Sequence, residues 1–125
     1  KTYTLGGWKE IDPNAPVTHL SFFEANAYAS WRACRLPTEF EWEAFAKSQG
    51  DLDGGFLSDS LEPSRRHIDD LGLIGEVWQW TSSSYEAYPK FKKDQGALGE
   101  YNGKFMCNQY VLRGGSIATP TTTAR

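Results

Sequence analysis

Apolar and polar positions fall into a helical period twice along the chain and then lose it. Over "SFFEANAYASWRAC" (21–34), Phe23, Ala27 and Trp31, with Cys34 one turn later, recur at the spacing of one helix face. Ser21 opens the run and Glu24 follows three residues on, a capping box in which each side chain satisfies a backbone N–H of the other residue. "LPTEFEWEAFAKSQG" (36–50) repeats the signal. Thr38 and Glu41 form a second capping box, Glu39, Glu41 and Glu43 complement the helix dipole, and Gly50 is the predicted stop. Residues 1–20 read as loop and short strand, with turn chemistry in "IDPNAPV". From Asp51 to Leu73 glycine, serine and aspartate dominate, and irregular chain is expected. "EVWQWT" (76–81) reads as a short strand, Ser82 to Asn108 as a long loop, and "YVLRGGS" (110–116) as a strand ending in a Gly-Gly turn or bulge. Two helices followed by long loops and short strands predict one α+β domain over residues 1–125.

Composition narrows the function classes. The formal net charge is −3 and the pI is about 5.3, so a nucleic-acid or anionic-membrane binder, which needs a basic patch, is not expected. Five tryptophans and 14% aromatics in a chain of negative mean hydropathy favour a turn-rich fold pinned by large side chains. No apolar run approaches the roughly 18 residues of a membrane span. Cys34 and Cys107 are too few for a disulfide scaffold, and both are expected reduced in a cytoplasmic protein.

Candidate chemistry is sparse. His19 and His67 are far apart and supply no convergent ligand set, so no metal site is expected; His19 reads as a hydrogen-bonded structural residue. "DLDGG" (51–55) and "GEVWQW" (75–80) place oxygen donors beside glycine turns, which keeps calcium as a minor alternative although EF-hand spacing is absent. Cys107 has no evident base, and the Asp69–Asp70 and Glu39–Glu41–Glu43 runs read as solvated loop and helix start. "GEYNGKFMCNQYVLRGGS" (99–116) differs: Tyr101, Asn102, Lys104, Asn108, Gln109 and Arg113 gather hydrogen-bonding groups beside Phe105 and Met106, a mix suited to a small polar anion. The competing reading pairs Arg113 with a core carboxylate and makes the aromatics packing. Trp78 and Trp80 are expected in the core.

"RLPTEFEWEAFA" (35–46), "GEVWQWT" (75–81) and "VLRGGS" (111–116), in that order, resemble the formylglycine-generating-enzyme (sulfatase-modifying-factor) superfamily from about Pro16 to Ser116. The resemblance implies a C-type-lectin-like fold. "YPKF" (88–91) followed by residues 99–116 most resembles the C-terminal domain of the ergothioneine-synthesis sulfoxide synthases. Those are non-haem iron enzymes that join hercynine to a cysteine-type thiol with oxygen, their Fe(II) held on an N-terminal domain that this chain lacks. The resemblance therefore implies one wall of an active site, with Tyr101, Asn102, Lys104, Phe105 and Arg113 as substrate contacts and no catalytic or metal-binding residue in the chain itself. One branch of the family carries a catalytic tyrosine three residues before the position of Tyr101; Leu98 stands there, so Tyr101 is assigned contact and not proton donation. After "RGGS" relatives continue through an Arg-rich, aromatic segment that closes the sheet. Here the sequence reads "IATPTTTAR", so a fragment lacking the last strand, and inactive alone, is expected.

Three other functions compete. Formylglycine generation needs a copper-holding cysteine pair after "RGGS", where Ile117, Ala118 and Thr119 stand. A lectin-like binding module is the second. The third is a scaffold domain whose loop 99–113 tolerates substitution.

Overall fold

Both capping boxes form. The computed structural model describes residues 1–4, 6–49, 72–104 and 106–120, with only the backbone at 101–104. At the first helix, α1 (Phe22–Trp31), the Ser21 N–H donates to Glu24 Oε2 at 2.8 Å and the Glu24 N–H donates to Ser21 Oγ at 3.3 Å. At the second, α2 (Glu39–Ser48), Thr38 and Glu41 repeat the exchange at 2.8 and 3.2 Å. Arg35 adds a bidentate pair on Glu41 at 2.6 and 2.7 Å. The helix ends at Ser48 with Gln49 as its cap; the predicted stop, Gly50, lies outside the described residues.

The face predicted for α1 is not the one it buries. Phe23 is 77% and Trp31 75% exposed, and Cys34 lies beyond the helix end. Phe22, Ala25 and Ala29 turn inward instead. Phe22 stacks on Tyr110 with ring centroids 3.5 Å apart and meets Trp80 edge-on at 6.0 Å. Apolar residues lie all around this helix, so its pattern offered two faces and packing against the sheet chose between them. On α2 the inward face is Glu39, Trp42 and Ala46 at helical spacing.

Among the described residues, four strands form two antiparallel pairs. β1 (Thr2–Thr4) and β2 (Gly7–Lys9) make an N-terminal hairpin. β3 (Gln79–Ser84) pairs with β4 (Tyr110–Arg113) in the register Gln79–Arg113 and Trp80–Leu112, with an irregularity before Ser84–Tyr110. The predicted strand 76–81 is therefore displaced by three residues. Glu76 and Val77 stay irregular because their chain is laced to the far end of β4: the Gly75 N–H donates to the Gly114 carbonyl at 2.8 Å and the Ile117 N–H to the Glu76 carbonyl at 3.3 Å. β4 stops at Arg113, where Gly114 and Gly115 both take positive φ. A further helix, α3 (Ala97–Lys104), occupies part of the predicted 82–108 loop. Its two glycines and few apolar residues hid it from pattern reading.

The β3–β4 ribbon lies between the helices. Odd positions of β3 face α2: Gln79 Oε1 accepts from Trp42 Nε1 at 2.9 Å, and Ser83 Oγ accepts from the Glu39 N–H at 2.9 Å. Trp80 faces the α1 side, where its Nε1 donates to the Leu20 carbonyl at 3.0 Å. Fully buried Thr81 donates to the Val111 carbonyl at 2.8 Å. Trp42, Ala46 and Leu73 form the core cluster, with Ile74 packed against it. The architecture is α+β, as expected.

Candidate functional site

Two concave features flank this ribbon. The polar one, about 240 Å³, is lined by Glu39, Tyr85, Glu86, Tyr88, Tyr110 and Arg113, among others. α2 supplies Glu39 from its first turn and β4 supplies Arg113 from its last residue. Arg113 Nη2 donates to Glu39 Oε1, to Glu43 Oε1 at 2.9 Å and to the Tyr88 hydroxyl at 2.9 Å. The Tyr88 hydroxyl in turn donates to Glu39 Oε1. The side chains of Arg113 and Glu39 are only 15% and 9% exposed, so the pair is largely dry. Burial lowers the Arg113 pKa, yet a guanidinium beside two carboxylates stays charged at any ordinary pH.

This cluster is the arrangement of the competing reading, in which Arg113 pairs with a core carboxylate. The Glu39–Glu41–Glu43 run read as a solvated helix start. Only Glu41 fits that description, its carboxyl held down at about 2 chiefly by the Arg35 hydrogen bonds and then by Thr38. Glu39 is buried and Glu43 half-buried because their i, i+4 spacing puts both on the face that meets Arg113. That spacing was the available signal; Tyr88 had none.

The predicted contact residues are only partly placed. Tyr101, Asn102 and Lys104 lie on α3, where the backbone alone is described, and Phe105 lies outside the described residues. Leu98, on the same helix, is 74% exposed. Arg113 is in the ion cluster and lines the polar pocket. Asp69, Asp70, His67 and the turn expected at 51–55 fall outside the described residues. Cys34 and Cys107 are exposed free thiols.

The second feature is a cleft of about 530 Å³ on the α1 side, its walls mostly apolar: Val17, Leu20, Trp78, Trp80 and Ile117, with Glu76 also among the lining residues. Trp78 is 41% exposed and Trp80 half-buried, so the tryptophans are cleft walls and not closed core. His19 also lines the cleft; it is exposed at φ 61°, and no side-chain hydrogen bond ties it down among the described residues. Gln79 is fully engaged, accepting from Trp42 and donating to the Gly72 and Leu73 carbonyls at 3.0 Å each.

Among the described residues, no three His, Cys, Asp or Glu side chains converge as a metal site would require. Among them too, no helix is long and apolar enough to cross a membrane.

Comparison with known proteins gives a consistent picture. The sulfatase-modifying factor enzyme 1-like domain family matches residues 4–72. The chain is 33% identical to the hercynine oxygenase of Mycolicibacterium smegmatis, over 91% of this chain and 33% of that protein. Against the hercynine oxygenase of Mycobacterium tuberculosis it is 32% identical over 97% of this chain and 34% of the relative. A formylglycine-generating enzyme of Thermomonospora curvata is 46% identical, over 55% of this chain and 21% of that protein. The chain thus spans about a third of the length of the hercynine oxygenases it matches.

Proposed function

The chain belongs to the sulfatase-modifying factor enzyme 1-like domain family, and on that premise we propose that it is the substrate-facing C-terminal domain of an iron-dependent sulfoxide synthase of ergothioneine biosynthesis. One observation carries the choice within the family. Hercynine oxygenases match 91% and 97% of the chain at 33% and 32% identity, whereas formylglycine-generating enzymes match 55% of it at 46% identity and 82% of it at 26%. A similarity that runs through α3 and β4 favours the branch in which that region faces substrate.

In this reading the fold is C-type-lectin-like, and the chain is one domain of a longer, cytoplasmic polypeptide. Hercynine, a cysteine-type thiol and oxygen are the substrates. Ferrous iron is held by a separate N-terminal domain of that polypeptide. The chain's own part is to bind and orient. Tyr101, Asn102, Lys104 and Phe105 contact substrate from the α3 region. Arg113 contacts it from the floor of the polar pocket, held in place by Glu39, Glu43 and Tyr88. Glu39 and Glu43 fix the guanidinium through hydrogen bonds on Nη2, which keeps the pocket wall ordered before a ligand arrives.

The test uses a longer polypeptide that carries this chain. It is loaded with ferrous iron and supplied with oxygen, hercynine and either cysteine or γ-glutamylcysteine. Mass spectrometry should find a sulfoxide joining the two substrates. Folded, iron-loaded protein that makes no such product with either thiol would leave a lectin-like binding or scaffold domain as the better account.

A further inference from the structure

Glu76 lines the apolar cleft, and among the described residues no charged side chain balances its carboxylate. Glu76 is 5% exposed, and its Oε1 is buried with no hydrogen-bond partner. Taking an ionised carboxylate out of water is costly unless an opposite charge or hydrogen bonds replace the water. No lysine or arginine is among the described residues that line the cleft, and the rim residue His19 is exposed.

Gly72 has φ +60°, and a Cβ at that position would stand 2.4 Å from Glu76 Oε2, so glycine is what makes room for the group. The Glu76 carbonyl is tied to the Ile117 N–H, and the Trp80 indole is fixed on the wall by its bond to Leu20. Tryptophan faces attract cations, more strongly where water is excluded.

We infer that this cleft is a binding site for an organic cation, an ammonium or guanidinium head directed at Glu76 and carried on a short apolar body against Trp78, Trp80 and Ile117. Its volume of about 530 Å³ is in the range of small-molecule sites. Glu76 is the single carboxylate among the described lining residues, so a monovalent organic cation matches its charge better than a divalent metal ion does. Two sources carry the required chemistry, a free small molecule or a basic side chain of polypeptide laid over the cleft. Neither depends on the sulfoxide-synthase reading.

Isothermal titration calorimetry with n-butylguanidinium, n-butylammonium and the neutral analogue n-butylurea tests the site. The cations should bind saturably, with n-butylurea roughly tenfold weaker or more, and Glu76→Gln should weaken the cations by a similar factor while leaving the urea unchanged. Equal binding of cation and neutral analogue, or no saturable binding of either cation, overturns the proposal. That comparison is made on the unaltered protein and does not depend on the variant folding. Repeating it on a longer polypeptide that carries this chain separates the sources. Retained cation binding there identifies a free ligand; a site occluded there, yet open in the 125-residue chain, identifies a side chain of that polypeptide.

Discussion

Gly114 is the position where a single methyl group should do most damage. Its φ is +97°, and a Cβ built there stands 2.5 Å from the Leu73 carbonyl oxygen, 3.2 Å from Gln79 Nε2 and 3.5 Å from Trp42 Cζ2. An L-residue at positive φ costs roughly 1–2 kcal/mol. Ordinary contact begins at 3.4 Å, so the carbonyl must retreat by 3.4 − 2.5 = 0.9 Å. Leu73 cannot yield easily, because it is buried in the core cluster beside Trp42 and its carbonyl accepts from Gln79 at 3.0 Å. Overpacking of this kind adds about 1–3 kcal/mol, and a disturbed Gln79 bond about 0.5–1.5 more. Gly114→Ala should therefore cost about 3–6 kcal/mol, a large share of an ordinary domain's stability. Gly7 supplies the control: its φ is +96°, and nothing lies within 4 Å of its built Cβ. Gly7→Ala should cost the dihedral penalty alone, about 1–2 kcal/mol. Urea unfolding followed by tryptophan fluorescence and far-UV circular dichroism measures both. If the two variants lose the same stability, the close approach to Leu73 is not what demands glycine, and the reasoning fails.

Arg113→Met should destabilise the chain by about 3–5 kcal/mol, because it leaves Glu39 buried without its cation. The double variant with Glu39→Gln should lose clearly less than the sum of the two single changes, a comparison made by denaturant unfolding. Acid should weaken the capping boxes. Glu24 and Glu41 have folded pKa values below the ordinary 4.5, so each contributes stability that is present above that value and is lost as pH falls through the folded one. For Glu41 the window runs from 4.5 down to about 2, and Glu41→Gln should flatten that part of a stability-against-pH curve measured from 6 to about 2. In a longer, active polypeptide, Lys104→Ala should weaken substrate binding by about 1.5–3 kcal/mol through the lost charged hydrogen bond. Steady-state kinetics would then show a raised KM, and an unchanged KM for both Lys104→Ala and Tyr101→Phe would favour a scaffold.

Local chemistry was legible from the sequence alone. Both helix starts are contacts between residues three apart, Ser21 with Glu24 and Thr38 with Glu41, so neighbours on the chain suffice to specify them. The α+β class followed from the same elements, and family words such as "RLPTEFEWEAFA" pointed to the relatives that comparison then found. What the sequence could not decide were choices made between distant segments. α1 carries apolar residues on every side, and the stacking of Phe22 on Tyr110 selected the face that is buried. Glu39 looked like an exposed helix-start acid until Arg113, 74 residues away, met it in a dry cluster. β3 began at Gln79 and not at Glu76 because two backbone bonds to residues 114–117 hold the preceding turn off the sheet. In each case the energy lies in water excluded and charge paired across the fold, quantities that exist only once the segments are brought together.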